Sequence, residues 1–256
     1  MKKHLLLVAI VLLSIEGNAQ SDTMLLSSSN INSKVLTPGT HTYLVYFRKG
    51  KDSTRIALSI WNRTISFEQY DGKEVIAIRQ LWESNDTVVH KAYSISDRES
   101  LQLYYQESWW KGRGTTLMDM NRKVLTLQGK QLSDADTSRN LKNAWDAFKQ
   151  AILQYSLNWH LDLETFGTLP FKKGRTFGIN FYDAGFSAPA LQYYTVTGSA
   201  VLKGYNDQKI ECWTLVHTSR NNIETFFISK KTKEVLKLEQ EVNGRYRFKV
   251  KLGITD

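Results

Sequence analysis

Residues 138–174 read S-R-N-L-K-N-A-W-D-A-F-K-Q-A-I-L-Q-Y-S-L-N-W-H-L-D-L-E-T-F-G-T-L-P-F-K-K-G, and this stretch decides the fold. Leu141, Ala144, Trp145, Phe148, Ile152, Tyr155 and Trp159 recur at three- and four-residue steps, which puts them on one stripe of an α-helix. Arg139, Lys142, Asp146 and Lys149 fall off the stripe, on the face left for water. The spacing predicts one long helix over Ser138–Trp159. Ser138, Thr137 or Asp136 can cap its start, and Gly167 and Pro170 stop the helical run. A single apolar stripe in a chain otherwise rich in strand patterns needs a sheet to lie on. The expected fold is therefore mainly β with one long helix: a curved antiparallel sheet (half-barrel) of two meanders wrapped on a central helix.

The strand patterns lie on both sides of that helix. Before it, Thr42–Phe47, Arg55–Trp61, Ser66–Tyr70, Val75–Trp82, Val88–Ile95, Leu101–Gln106, Gly114–Met120 and Val124–Leu127 follow one another at 8–12-residue intervals. Asp71-Gly72 between two of them is a strong hairpin signal. After it come Thr176–Tyr182, Gln192–Leu202, Lys209–His217, Ile223–Ile228, Val235–Glu241 and Tyr246–Leu252, with Asn221-Asn222 and Asn243-Gly244 as turns. Strands spaced so closely without helices between them imply antiparallel pairing.

Aromatic doublets mark these strands: Tyr104-Tyr105, Trp109-Trp110, Phe181-Tyr182, Tyr193-Tyr194 and Phe226-Phe227. Neighbours on a strand point to opposite faces, so a doublet places a ring on each side of the sheet. One helix shelters one face. The other is covered by the sheet's own curvature or by a bound apolar ligand, because contiguous aromatic surface is rarely left wet. Doublets at strand ends, with one ring in water, are the plainer reading of any single pair.

The chain starts M-K-K-H and continues with the apolar run Leu5–Leu13 and then Gly17-Asn18-Ala19. That is the pattern of a secretory signal at residues 1–19, cut before Gln20, and the run is too short for a membrane anchor. No cysteine lies near the cut, so a lipidated N-terminus is not expected. Residues 20–37 are rich in Ser and Asn and read as a flexible lead-in, leaving 38–256 as a single β-rich domain. Export predicts a periplasmic or secreted protein with no transmembrane segment. Cys212 is the only cysteine, so no internal disulfide is possible and the core must hold the fold. The formal charge of +9 falls to +8 once Lys2, Lys3 and Glu16 are removed, and it is dispersed. Lys230–Lys233, between two strand patterns, reads as a solvated hairpin turn; the alternative is contact with anionic lipid head groups or an acidic partner. Nucleic acid is not expected outside the cytoplasm.

No catalytic or cofactor motif survives inspection. His160-x-Asp162-x-Glu164 offers ligand-type side chains, but residues two apart diverge at a helix end; Asp162 is expected to cap a short second helix and His160 to meet the end of the first. Cys212 shares a strand face with Ile210 and Thr214 and opposes His217, the arrangement of an inert buried thiol. Ser187 lacks the second glycine of a nucleophile elbow, and Gly112-Arg113-Gly114 reads as a turn.

The run L-D-L-E-T-F-G-T-L-P-F-K-K-G-R-T-F over Leu161–Phe177 resembles the middle of an uncharacterised bacterial periplasmic family known only as a domain of unknown function. There a short helix runs into L-P-[LF]-x-x-G, then a strand, then a meander. Asp97–Leu101 (D-R-E-S-L) resembles the family's first half, and the likeness covers most of residues 39–252. The family is similar in architecture to the Lol-type lipoprotein carriers and receptors, in which an incomplete barrel holds acyl chains around a helix. The absence of a lipidation cysteine departs from the receptor type. The resemblance implies a non-catalytic envelope protein that binds an acyl chain or other apolar ligand, with lipid, lipoprotein or an envelope protein as partner. Tyr104, Trp109, Trp110 and Tyr193 are the candidate lining residues. The alternatives are an assembly module whose core is filled by its own helix, and a carbohydrate-binding domain with Trp109-Trp110 as the stacking platform.

Overall fold

A computed structural model describes residues 22–253; the signal expected at residues 1–19 lies outside the described residues. The strands are β1 (Thr23–Leu25), β2 (Gly39–Arg48), β3 (Ile56–Tyr70), β4 (Lys73–Ser84), β5 (Thr87–Asp97), β6 (Leu103–Trp110), β7 (Gly114–Asp119), β8 (Val124–Leu127) and β9 (Lys130–Gln131). They continue as β10 (Leu157–Asn158), β11 (Thr176–Asp183), β12 (Ser187–Lys203), β13 (Lys209–Ser219), β14 (Asn222–Ser229), β15 (Val235–Val242) and β16 (Arg245–Lys251). Two short helices, α1 (Arg139–Ile152) and α2 (Asp162–Gly167), separate β9 from β11, with β10 between them.

The strands form one curved open sheet in the order β1-β11-β12-β13-β14-β15-β16-β2-β3-β4-β5-β6-β7-β8-β9, with β10 also paired to β11. Pairing is antiparallel except where β1 and β10 run parallel to β11. The expected curved sheet is thus one continuous sheet, and it is not divided into two meanders. β16 lies beside β2, from Tyr246 opposite Arg48 to Lys251 opposite Tyr43, and joins the strands before the helices to those after them. This pairing has a consequence for the helices. The chain leaves the sheet at β9, one end of the order, and re-enters at β11 near the other, so the connection must cross a face of the sheet.

The turns that set the register were legible. Asp71 and Gly72 take φ of 49° and 76°, and Asn243 and Gly244 take 50° and 73°. Both pairs have the left-handed backbone that a two-residue hairpin matching the strand twist requires. β3 runs unbroken through residues 62–65, so the two strands expected at Arg55–Trp61 and Ser66–Tyr70 are one. Residues 22–37 are tied to the domain: β1 pairs with β11, Asp22 bridges Lys172 and Arg175, and Leu26 is buried.

The helix is shorter than expected, and it is not central. α1 ends at Ile152, so Tyr155 and Trp159 do not continue its stripe. Side chains that bond to the backbone compete with the helix there. The Ser156 hydroxyl donates to the Ala151 carbonyl at 3.2 Å, and the Asn158 side chain accepts from His160 N at 2.9 Å, capping a new 3-10 turn at Trp159–Leu161. Ser138 occupies the N-cap of α1, but its hydroxyl makes no capping bond. Phe148 and Ala151 of α1 pack with Leu103, Met118 and Leu125 of β6, β7 and β8 and with Tyr182 of β11, so the helix bridges the two ends of the strand order.

The middle of the inner face is filled by the next part of the crossover. Leu157, Leu161, Leu163, Phe166 and Leu169 join Tyr43, Val45, Ile65, Ile78, Phe177, Tyr194, Leu215 and Phe226 in the main core. Phe166 has no exposed surface, and its ring lies 4.8 Å from Tyr194 and 4.6 Å from Phe226. Fully burying a side chain of this size contributes about 1.5–3 kcal/mol. Gly167 ends α2 against the Lys230–Lys233 turn so closely that a Cβ there would stand 2.5 Å from the Lys233 carbonyl oxygen. Leu161, and not Asp162, is the cap residue of α2. Cys212 is buried in a small cluster with Ile210 and Leu236. No helix among the described residues is long and apolar enough to cross a membrane.

Candidate functional site

Alternation along β3 and β4 divides the inner face in two. On β3 the inward positions run Ile65, Arg63, Trp61, and on β4 Ile78, Gln80, Trp82, so each strand passes from apolar to polar to aromatic. Register then lines up Trp61 with Trp82, Trp82 with His90 of β5, and His90 with Trp110 of β6. The Trp61 and Trp82 rings stack 3.5 Å apart and 3° from parallel. His90 sits 4.3 Å from Trp82 and 3.9 Å from Trp110.

This ladder forms one wall of a cleft of about 570 Å³. Trp159, His160 and Asp162 from the crossover and Arg247 and Lys249 from β16 complete it, with Phe47 and Phe186, both partly exposed, among its lining. The volume falls in the range of small-molecule sites. In the apolar part of the inner face, the gap by Tyr43, Ile65 and Leu163 is about 30 Å³, room for about one water.

A buried polar network fixes the crossover at the bottom of the cleft. Arg63, 1% exposed, donates from Nε to Glu164 Oε1 at 2.9 Å and from Nη2 to Glu164 Oε2 and the His160 carbonyl. Gln80 donates to the same carbonyl at 2.7 Å and accepts from Arg63 and from Trp82 Nε1. Burial works against the Arg63 charge, but Glu164 outweighs it and holds the guanidinium firmly protonated. A second anchor joins Asn158 to Gln106, with Ser94 alongside.

Several groups around the cleft are left without partners. Burial, reinforced by the neighbouring His160, lowers His90 to about 3, so its ring is neutral. His90 Nδ1 donates to the Trp109 carbonyl at 3.0 Å, which leaves Nε2 as an acceptor with no partner among the described residues. His160 Nδ1, Trp110 Nε1 and Arg247 Nε are likewise buried and unpartnered. Lys249 is 3% exposed, its ammonium makes no hydrogen bond to a described residue, and Asp162 stands at 3.9 Å and the Trp61 ring at 4.6 Å. Burial pushes its ammonium down to about 8. Buried polar atoms are nearly always satisfied, so several orphans in one place mark a site of interaction.

The uncharacterised family DUF3108, described as a protein of unknown function, matches residues 42–251. The chain belongs to this family. The match spans both halves of the DUF3108 sheet and the whole crossover, so the cleft lies within the family's own domain. A comparison with curated proteins finds no match.

Of the four lining residues expected from the DUF3108 sequence, Trp110 is in the cleft. Trp109 follows on the opposite face of β6, so the two indoles do not form one platform. Tyr193 is half-exposed on the face opposite the buried Tyr194. Tyr104 lies at a separate polar depression with Asp97, Glu99 and Ser27–Ser29, and its hydroxyl is spent on Asp97 at 2.7 Å. His160, Asp162 and Glu164 do not converge on one point: His160 faces Asp183 at 3.4 Å, Glu164 pairs with Arg63, and Asp162 stands between Arg63 at 3.7 Å and Lys249 at 3.9 Å. His160 thus does not meet the end of α1. The sequence reading missed Trp61, Trp82, Trp159, Arg63, Arg247 and Lys249. The signal for four of them was a charge or tryptophan at inward parity in an apolar strand, as in Trp61-x-Arg63-x-Ile65 and Arg247-x-Lys249.

Proposed function

We propose that this protein is a non-catalytic, exported binding protein of the cell envelope, and that its ligand, with an apolar part such as an acyl chain, lies in the tryptophan-lined cleft. The observation that carries the reading is that Trp110, His160 and Arg247, each with an unpartnered buried nitrogen among the described residues, line a cleft walled by Trp61, Trp82, Trp110 and Trp159. An indole wall takes apolar surface, and orphaned polar atoms take the few directional bonds that orient it. A sheet curved about a short helix agrees with the Lol-type half-barrel that the sequence resembles, and the leader pattern at residues 1–19 agrees with periplasmic or secreted placement. The reading departs from a deep acyl-chain tunnel, because Phe166 and its neighbours occupy the apolar half of the inner face.

That filled half favours a second reading, an envelope assembly module that carries no ligand. Native mass spectrometry of gently purified protein separates the two. A small-molecule adduct that organic extraction removes supports ligand binding. A clean apo mass, together with no saturable response to any single-chain amphiphile, supports the assembly module.

A further inference from the structure

We propose that Arg247 and Lys249 form a seat for the negative head of the ligand, so that the cleft selects singly charged anionic amphiphiles over neutral ones. The inference rests on the cleft being a ligand site and names the ligand's class. β16 places both side chains at alternate positions facing the cleft, opposite Trp61 and the crossover. Neither makes a hydrogen bond to a described residue, and each has its nearest carboxylate at 3.9 Å, Asp162 for Lys249 and Glu224 for Arg247. Those acids are engaged elsewhere. Asp162 accepts from Leu163 N and stands 3.7 Å from Arg63, and Glu224 accepts from Gln240 at 2.8 Å.

Lys249 is a buried cation without a hydrogen-bonded anion, which is costly to keep, and Arg247, its side chain 30% exposed, lacks one too. A charge-assisted bond to a ligand's head group offsets that cost. Arg63 is not free to take part, because Glu164 engages its Nε and Nη2. Asp183 faces His160. Since Asp162 and Glu224 already offset part of the positive charge, the seat suits one negative charge, a carboxylate or a phosphodiester, better than a dianion. Burial, with Arg247 and Arg63 adding to it against the pull of Asp162, lowers the Lys249 ammonium, so the free site loses a cation above pH 8.

The test follows intrinsic tryptophan fluorescence at pH 7 with three probes: dodecanoate, 1-dodecanoyl lysophosphatidylglycerol and dodecan-1-ol. At least one anion is expected to bind tenfold or more tighter than the alcohol, and which anion does so distinguishes a fatty acid from a phospholipid source. Lys249→Met and Arg247→Gln should each cut the anion-to-alcohol preference to threefold or less, and the wild-type preference should shrink at pH 9.5. Equal affinity for anion and alcohol, or a preference that both variants retain, overturns the anion seat and leaves the cleft standing as an apolar site. Saturable binding of none of the three overturns both.

Discussion

Replacing Lys249 with methionine should stabilise the protein at neutral pH, and the gain should fade as the solution turns alkaline. The ammonium is almost fully buried and is lowered from 10.5 to about 8. At about 1.36 kcal/mol per pKa unit, the folded state carries a penalty of roughly 3 kcal/mol for keeping it charged. The sign follows from proton counting. Between the folded and unfolded pKa values the unfolded chain binds more protons, so stability rises with pH across that interval. The penalty is present in full below pH 8 and is gone above pH 10.5. Methionine keeps the apolar stem beside Trp61 and removes the charge, while Asp162 still has Arg63 at 3.7 Å. Urea unfolding of both proteins at pH 7, 8, 9 and 10 reads the effect, because every other titrating group is common to the pair. The variant's advantage should narrow by roughly 2–3 kcal/mol from pH 7 to pH 10. An advantage that does not change with pH, or a variant less stable than wild type at pH 7, refutes the reasoning.

Other substitutions probe the crossover. Arg63→Met strands the buried Glu164 carboxylate and should cost about 3–5 kcal/mol in urea unfolding, much of it recovered in the double variant with Glu164→Gln; a loss below 1 kcal/mol in the single variant would show that water reaches Glu164. Gly167→Ala should cost about 1–3 kcal/mol, because its Cβ meets the Lys233 carbonyl oxygen at 2.5 Å, and a neutral result would mean that the turn yields freely. Phe166→Ala should cost about 3–5 kcal/mol by emptying the centre of the core. A dye site in this variant additional to any that the wild-type cleft provides would show that Phe166 fills core space an acyl chain would otherwise take.

The strands and their turns were readable because each rests on local chemistry: alternation, and residue pairs such as Asp71-Gly72 that tolerate left-handed backbone. The helix was overextended for a related reason. Tyr155 and Trp159 kept the period of the stripe, but Ser156 and Asn158 bond to the backbone and end it, a competition that periodicity does not weigh. The cleft was hidden because it is built by register. Trp61, Trp82, His90 and Trp110 stand on four strands, and only the successive pairing of Trp61 with Trp82, Trp82 with His90 and His90 with Trp110 makes them one wall. Doublets drew attention to Trp110, yet a doublet splits across the sheet, which is why Trp109 faces the other way. Arg247 and Lys249 enter the cleft only because β16 closes against β2, a long-range pairing with no local signature.

The most direct test of the central claim is quenching of tryptophan emission by 12-bromododecanoate. Of the seven tryptophans, Trp61, Trp82, Trp110 and Trp159 line the cleft. Quenching should saturate, be competed by dodecanoate, survive Trp109→Phe with Trp213→Phe, and fall by more than half when Trp61 and Trp82 become phenylalanine. No saturable quenching, or quenching equal in the two double variants, would contradict a ligand site at these indoles.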